Sequence, residues 1–187
     1  MFLLFFRMES IWQENSIGID VIPSHQALEL IDEQVATVLR ELWEHNESIT
    51  IAGELYIVIY FQSKHIFFLG GFVTYCLGLT NQYGDIDIFC HPVSCTEFSF
   101  RMQQHGYETR PQHVTASDGY PYPEQFTLYR LYDPNGFWTG CQIIQVCAPW
   151  LQFVAPLEGP LFARTVIRDF DLQLCRAAIY KDSYIQR

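Results

Sequence analysis

Asp85-Ile86-Asp87-Ile88 alternates acid and isoleucine. A period of two is the pattern of a β-strand with one buried face. Ile86 and Ile88 then enter a core, while Asp85 and Asp87 project together on the other side. Two carboxylates held that close repel each other unless a cation or cationic group stands between them. The stretch therefore demands a sheet that is apolar on one side and carries compensating positive charge on the other.

The residues upstream fit that demand. An apolar run ends at Gly70-Gly71, Phe72 to Leu79 reads as a short helix, and Asp85 to Cys90 reads as the next strand. Glycines without side chains let a phosphate approach the backbone. The amides that open a helix, with its dipole, suit an anion. The two aspartates suit magnesium or manganese, hard cations that take oxygen ligands and keep places for phosphate oxygens. In chain order, a phosphate cradle at Gly70 and Gly71 precedes a metal-ligand pair at Asp85 and Asp87.

The rest of the chain reads as one mixed α/β domain spanning residues 1–187, with 1–23 as an N-terminal extension. Ser24 to His45 has helical apolar spacing, with Ser24 as the expected N-cap. Thr96 to His105 reads as a helix after a strand ended by His91 and Pro92, and 110–124 as a loop. Phe126 to Tyr132 and Phe137 to Val146 read as strands joined by Asp133-Pro134-Asn135-Gly136, a hairpin signal. Pro156 to Ile167 reads as a turn and short helix, and Leu174 to Tyr180 as a last buried strand.

The net charge of −10 argues against extended nucleic acid as a partner, since phosphate backbones need clustered Lys and Arg. The six cysteines form no CxxC pair and sit mostly in apolar segments, which reads as buried free thiols. The histidines show neither HxxxH nor HExxH spacing. The apolar start, MFLLFFRMES, is too short for a signal peptide and no basic residue precedes it; Met8 is a second candidate start. No segment is long and apolar enough to cross a membrane. These features together predict an intracellular protein, cytoplasmic or nuclear.

The order apolar-Gly-Gly, helix, Gly-Asp-Ile-Asp-Ile resembles the signature of the DNA polymerase beta-like nucleotidyltransferase superfamily, carried here by Gly70, Gly71, Asp85 and Asp87. The resemblance implies a minimal palm-like domain, a mixed sheet with helices packed on one face. It implies magnesium-dependent transfer of a nucleoside monophosphate from a nucleoside triphosphate to an acceptor, here unknown, either protein or small molecule. It also implies a third carboxylate on the strand that closes the following hairpin. That strand, Gly140 to Val146, has no acid; Gln142 and Gln145 take its polar positions.

Two explanations of this departure compete. Asp171, or its neighbour Asp169, reaches the site from another strand as a catalytic acid, with Arg176 as a partner for Asp171. Alternatively these acids only cap or solvate a turn, and the domain has kept nucleotide or protein binding while losing transfer. Arg130 either steers the triphosphate or pairs with an acid. Lys64 could meet a phosphate, and Tyr120 and Tyr122 could stack on a base, but a solvated Lys at a strand start and aromatics that pack the loop down are the commoner arrangements. No Ser-His or Cys-His pairing supports a hydrolase.

Overall fold

The alternating stretch becomes a central strand of a seven-stranded sheet. The computed structural model describes residues 22–52, 55–59, 66–80, 82–112, 126–146, 159–168, 177–181 and 183–186. Its strands are β1 (Ile49–Ala52), β2 (Leu55–Ile59), β3 (Ile66–Gly70), β4 (Gln82–Tyr83), β5 (Ile86–Cys90), β6 (Glu108–Gln112), β7 (Phe126–Tyr132), β8 (Trp138–Val146), β9 (Ala177–Tyr180) and β10 (Ser183–Gln186). The helices are α1 (Ser24–Ala27), α2 (Glu33–Glu44), α3 (Phe72–Cys76), α4 (Pro92–Gln104) and α5 (Gly159–Arg168). The main sheet has the order β10-β9-β1-β5-β8-β7-β6, and β2-β3-β4 form a smaller one. In the main sheet only the β5–β8 pairing is parallel, so the fold is mixed α/β. Among the described residues no helix is long and apolar enough to cross a membrane.

Alternation assigns the faces. Ile86, Ile88 and Cys90 are buried, while Asp87 and Phe89 are half-buried. Ile88 lies opposite Ile51 on β1 and Ile143 on β8. The helix α4 covers this face, with Phe98 and Met102 fully buried. In β1 all four residues are buried, so the sheet is covered on both sides there. Cys76, Cys90, Cys95 and Cys141 are buried thiols outside any disulfide, as expected of them; Cys147 and Cys175 lie outside the described residues.

Several boundaries differ from the sequence expectation, each for a local reason. The helix expected over Ser24 to His45 is broken. A 3₁₀ turn, Leu28–Leu30, follows α1, and Ile31 is extended. Ser24 does not cap; Pro23 holds that position, without a side-chain bond. Asp32 caps α2 instead, accepting from the Gln34 and Val35 amides at 3.0 Å each. Pro92 does not merely stop β5. It opens α4 at the first-turn position where its missing N–H costs nothing, and His91 caps that helix by accepting from the Val93 amide. The helix therefore begins ahead of Thr96. Residues 108–112, partly expected as loop, form β6. Its Pro111 is tolerated because β6 is an edge strand. At the other end, Phe137 belongs to the hairpin turn, where its amide and that of Asn135 donate to Asp133 Oδ1. The short helix expected to reach Leu79 stops at Cys76, ahead of Gly78 with its positive φ of 69°.

Asp32 does two jobs. Besides capping α2 it accepts from the Tyr107 hydroxyl through both carboxylate oxygens, at 2.9 and 3.0 Å. It thereby ties α2 to the chain entering β6. Asp32→Ala is expected to lose roughly 2–3 kcal/mol, about 1–2 for the cap and about 1 for the hydroxyl bond. Asp32→Asn, which keeps an acceptor oxygen, should recover most of it. Urea unfolding midpoints at unchanged slope measure both; an alanine variant as stable as wild type would mean that neither bond contributes.

Candidate functional site

Strand pairing brings the glycine pair and the carboxylates together. In the small sheet β3 runs parallel to β4, and Gly70 lies opposite Tyr83. Gly84 then leads directly into Asp85. The Tyr83 ring packs against α3, edge-on to Phe72 at 5.1 Å and tilted against Tyr75 at 4.9 Å between ring centroids. This aromatic contact fixes the start of α3 beside the start of β5. Gly71 is the N-cap residue of α3, with φ −66° and an extended ψ of 165°, so its backbone needs no glycine. Its carbonyl accepts from the Thr74 hydroxyl at 2.7 Å and the Tyr75 amide at 3.2 Å. With only five residues, α3 has a weaker dipole than a long helix. Any phosphate at Gly70 and Gly71 is therefore held more by close backbone approach than by helix charge.

The other side of the site is a row across the main sheet. Asp87 on β5 lies opposite Gln142 on β8, Gln142 lies opposite Arg130 on β7, and Arg130 lies opposite Arg110 on β6. Directly paired residues share a face, so these side chains stand on the side away from Ile88 and Ile143. Gln142 thus projects opposite to Cys141 and Ile143. Gln142 is only 6% exposed. Its Nε2 donates to Asp85 Oδ2. That bond fixes which end of the amide faces the acid, because two oxygens would repel. The amide oxygen Oε1 is buried and has no hydrogen-bond partner among the described residues.

Arg130 completes the charge balance. Burial raises the Asp85 pKa above the ordinary carboxylate range; the Arg130 charge opposes this most, followed by a backbone hydrogen bond and the Gln142 amide. Of the two roles foreseen for Arg130, the acid-directed one has a counterpart here: its charge acts on Asp85 across the sheet. Its guanidinium rests over the Trp138 ring, 5.1 Å from the centroid. Its Nε is buried, again with no partner among the described residues.

Asp85 and Asp87 offer hard carboxylate oxygens of the kind magnesium and manganese take, while the Gln142 amide turns its Nε2, not its oxygen, to Asp85. Among the described residues no three His, Cys, Asp or Glu side chains cluster as a metal site, so any third ligand from this row is the neutral amide. Asp171, Asp169, Arg176, Lys64, His65, Tyr120 and Tyr122 lie outside the described residues. Trp138 and Arg110 were not foreseen. Their signal was the hairpin register, which carries Arg130 and Tyr132 back against Trp138 once the turn is fixed at Asp133.

A separate groove of about 490 Å³ lies between α4 and the β6–β7–β8 strands, lined by Cys95, Ser99, Phe100, Tyr129 and Gln145. Tyr129 pairs with Ile143, and Gln145 pairs with Cys90. The groove is therefore on the opposite face from the carboxylates. No family model, characterised protein or solved structure matches the chain.

The causes acting on Asp85 fix a testable order. In Arg130→Met its carboxyl should titrate at higher pH than in wild type, and in Gln142→Leu also higher but by less. Carbon-detected NMR of the aspartate carboxyls gives both curves; an unmoved Asp85 in Arg130→Met would remove Arg130 from the site.

Proposed function

We propose that this domain binds a nucleoside triphosphate together with magnesium or manganese, on a nucleotidyltransferase-like site whose transfer chemistry is impaired. The observation that carries this reading is Gln142. It stands in register with Asp87 and donates its amide to Asp85, on the strand where the resemblance calls for a third carboxylate. Two-metal transfer needs one ion to activate the attacking hydroxyl and another to hold the triphosphate and leaving group. Two carboxylates and a neutral amide, with a guanidinium beside them, supply too little negative charge for two divalent ions. They suffice for one ion that arrives with its triphosphate. Asp85 and Asp87 are the ligands, Gly70 and Gly71 the backbone that a phosphate approaches, and Arg130 the cation facing it. Buried free thiols fit an intracellular setting, cytoplasmic or nuclear.

The intact aspartate pair also supports an active transferase, with Asp171 as the missing acid and a protein or small molecule as acceptor. The two readings separate by experiment. Magnesium or manganese with ATP should raise the Tm of the wild type, because a ligand that binds only the folded state stabilises it, by roughly 2.7 kcal/mol at a hundredfold excess over Kd. Asp85→Asn with Asp87→Asn should abolish the metal-dependent part. Gln142→Asp should tighten metal binding about tenfold, near 1.4 kcal/mol. Asp171→Asn should change neither binding nor any residual transfer of label from a nucleoside triphosphate. Transfer that is robust in wild type and lost in Asp171→Asn would establish the enzyme instead. A metal response that survives in the double variant would remove the site altogether.

A further inference from the structure

Beyond the acids, the same face carries a pair of stacked cations and rings. Tyr132 on β7 lies opposite Trp138 on β8. Arg110 sits over the Tyr132 ring at 4.1 Å, and Arg130 over the Trp138 ring at 5.1 Å. Gly140, with φ +84°, and a shift of register between Arg130 and Tyr132 mark an irregularity at this point. The indole is anchored from below, donating through Nε1 to the Cys141 carbonyl at 3.2 Å. It is nevertheless 42% exposed. An aromatic side chain fixed in orientation and left partly bare is a stacking surface.

We infer that Trp138 is the platform for the base of the bound nucleotide, with Arg130 spanning the interval between base and phosphates. The inference rests on the nucleotide reading above and specifies it further. Asp87 on β5 and Arg130 on β7 stand two strand spacings apart, roughly 10 Å, a distance that a triphosphate bridges, and the Trp138 ring centroid lies 5.1 Å from the Arg130 guanidinium. Arg130 Nε is a buried donor without an acceptor among the described residues, in the same cross-strand row as Asp87 and on a guanidinium that lies over the ring. A phosphate or ribose oxygen would satisfy it. Stacking on a π face favours no particular base, so affinity should rise for any nucleobase with little discrimination.

Titration calorimetry with magnesium tripolyphosphate, magnesium ATP and magnesium CTP separates the two layers. Wild type should bind both nucleotides more tightly than tripolyphosphate, by roughly fivefold to a hundredfold. Trp138→Ala should lose that excess and leave tripolyphosphate binding unchanged; Trp138→Phe should keep most of it. Trp138→Leu, which fills the same space without a π face, should behave as the alanine variant and serves if alanine does not fold. Nucleotide affinity unchanged in the Ala or Leu variant overturns the platform. So does an equal weakening of nucleotide and tripolyphosphate, which would mean that the ring only steadies Arg130. Failure of wild type to bind tripolyphosphate would overturn the underlying nucleotide reading, and the platform with it.

Discussion

Everything distinctive about this domain depends on how one sheet face tolerates Asp85 and Asp87. Both are half-buried, next to a strand that is buried on both sides from Cys141 to Ile144. Unpaired, each would carry a desolvation cost that normally drives a carboxylate to neutralise. The sheet resolves this by register. Gln142 faces Asp87 across one strand boundary and Arg130 faces Gln142 across the next. A slip of one residue between β5 and β8 would set Ile143 against Asp87 and turn Gln142 into the helix-covered core. The parallel pairing is therefore held by the apolar face and the polar face at once, and neither can change register without breaking the other.

That coupling also divides labour between the two faces. Ile88, Cys90 and Ile143 pack beneath α4 and supply the burial that stabilises the sheet. The opposite face is then free to hold groups that cost stability, namely two acids, a buried amide oxygen and a buried guanidinium nitrogen without partners among the described residues. Orphaned polar atoms are uncommon in folded interiors. Here two of them, Gln142 Oε1 and Arg130 Nε, lie on adjacent strands in one cross-strand row with Asp87.

The sequence made some of this visible and hid the rest. Alternation from Asp85 to Cys90 is a period-two signal that no helix reproduces, and the turn at Asp133 forces β7 back onto β8, so the placement of Gln142 followed. Helix ends were harder to read. Ser24, Asp32 and His91 are all competent caps; which of them serves depends on where Ile31 extends and where Pro92 allows a start, and both are decided by packing. The strands β6 and β4 were missed because neither alternates cleanly: β6 is an edge with a proline, and β4 has only two residues, paired with β3 in the small sheet. Arg130 was ambiguous from sequence for a physical reason. Its neighbours in the chain, Tyr129 and Leu131, say nothing of what stands across the sheet.

Asp85 and Asp87 without a third acid clustered beside them among the described residues look at first like a contradiction, since a binding domain gains nothing from two repelling charges. The structure removes the contradiction. In this row the pair does not stand alone: Gln142 hydrogen-bonds Asp85, and the Arg130 charge draws its pKa back down against burial. A carboxylate in place of Gln142 would add a third negative charge to the same half-buried space, and one guanidinium could not balance it without metal. The amide thus makes the acid pair tolerable as it stands, because it donates to Asp85 and adds no charge. Such a site would be easier to fold without ligand and less able to draw two metals together, which are opposite consequences of one missing charge.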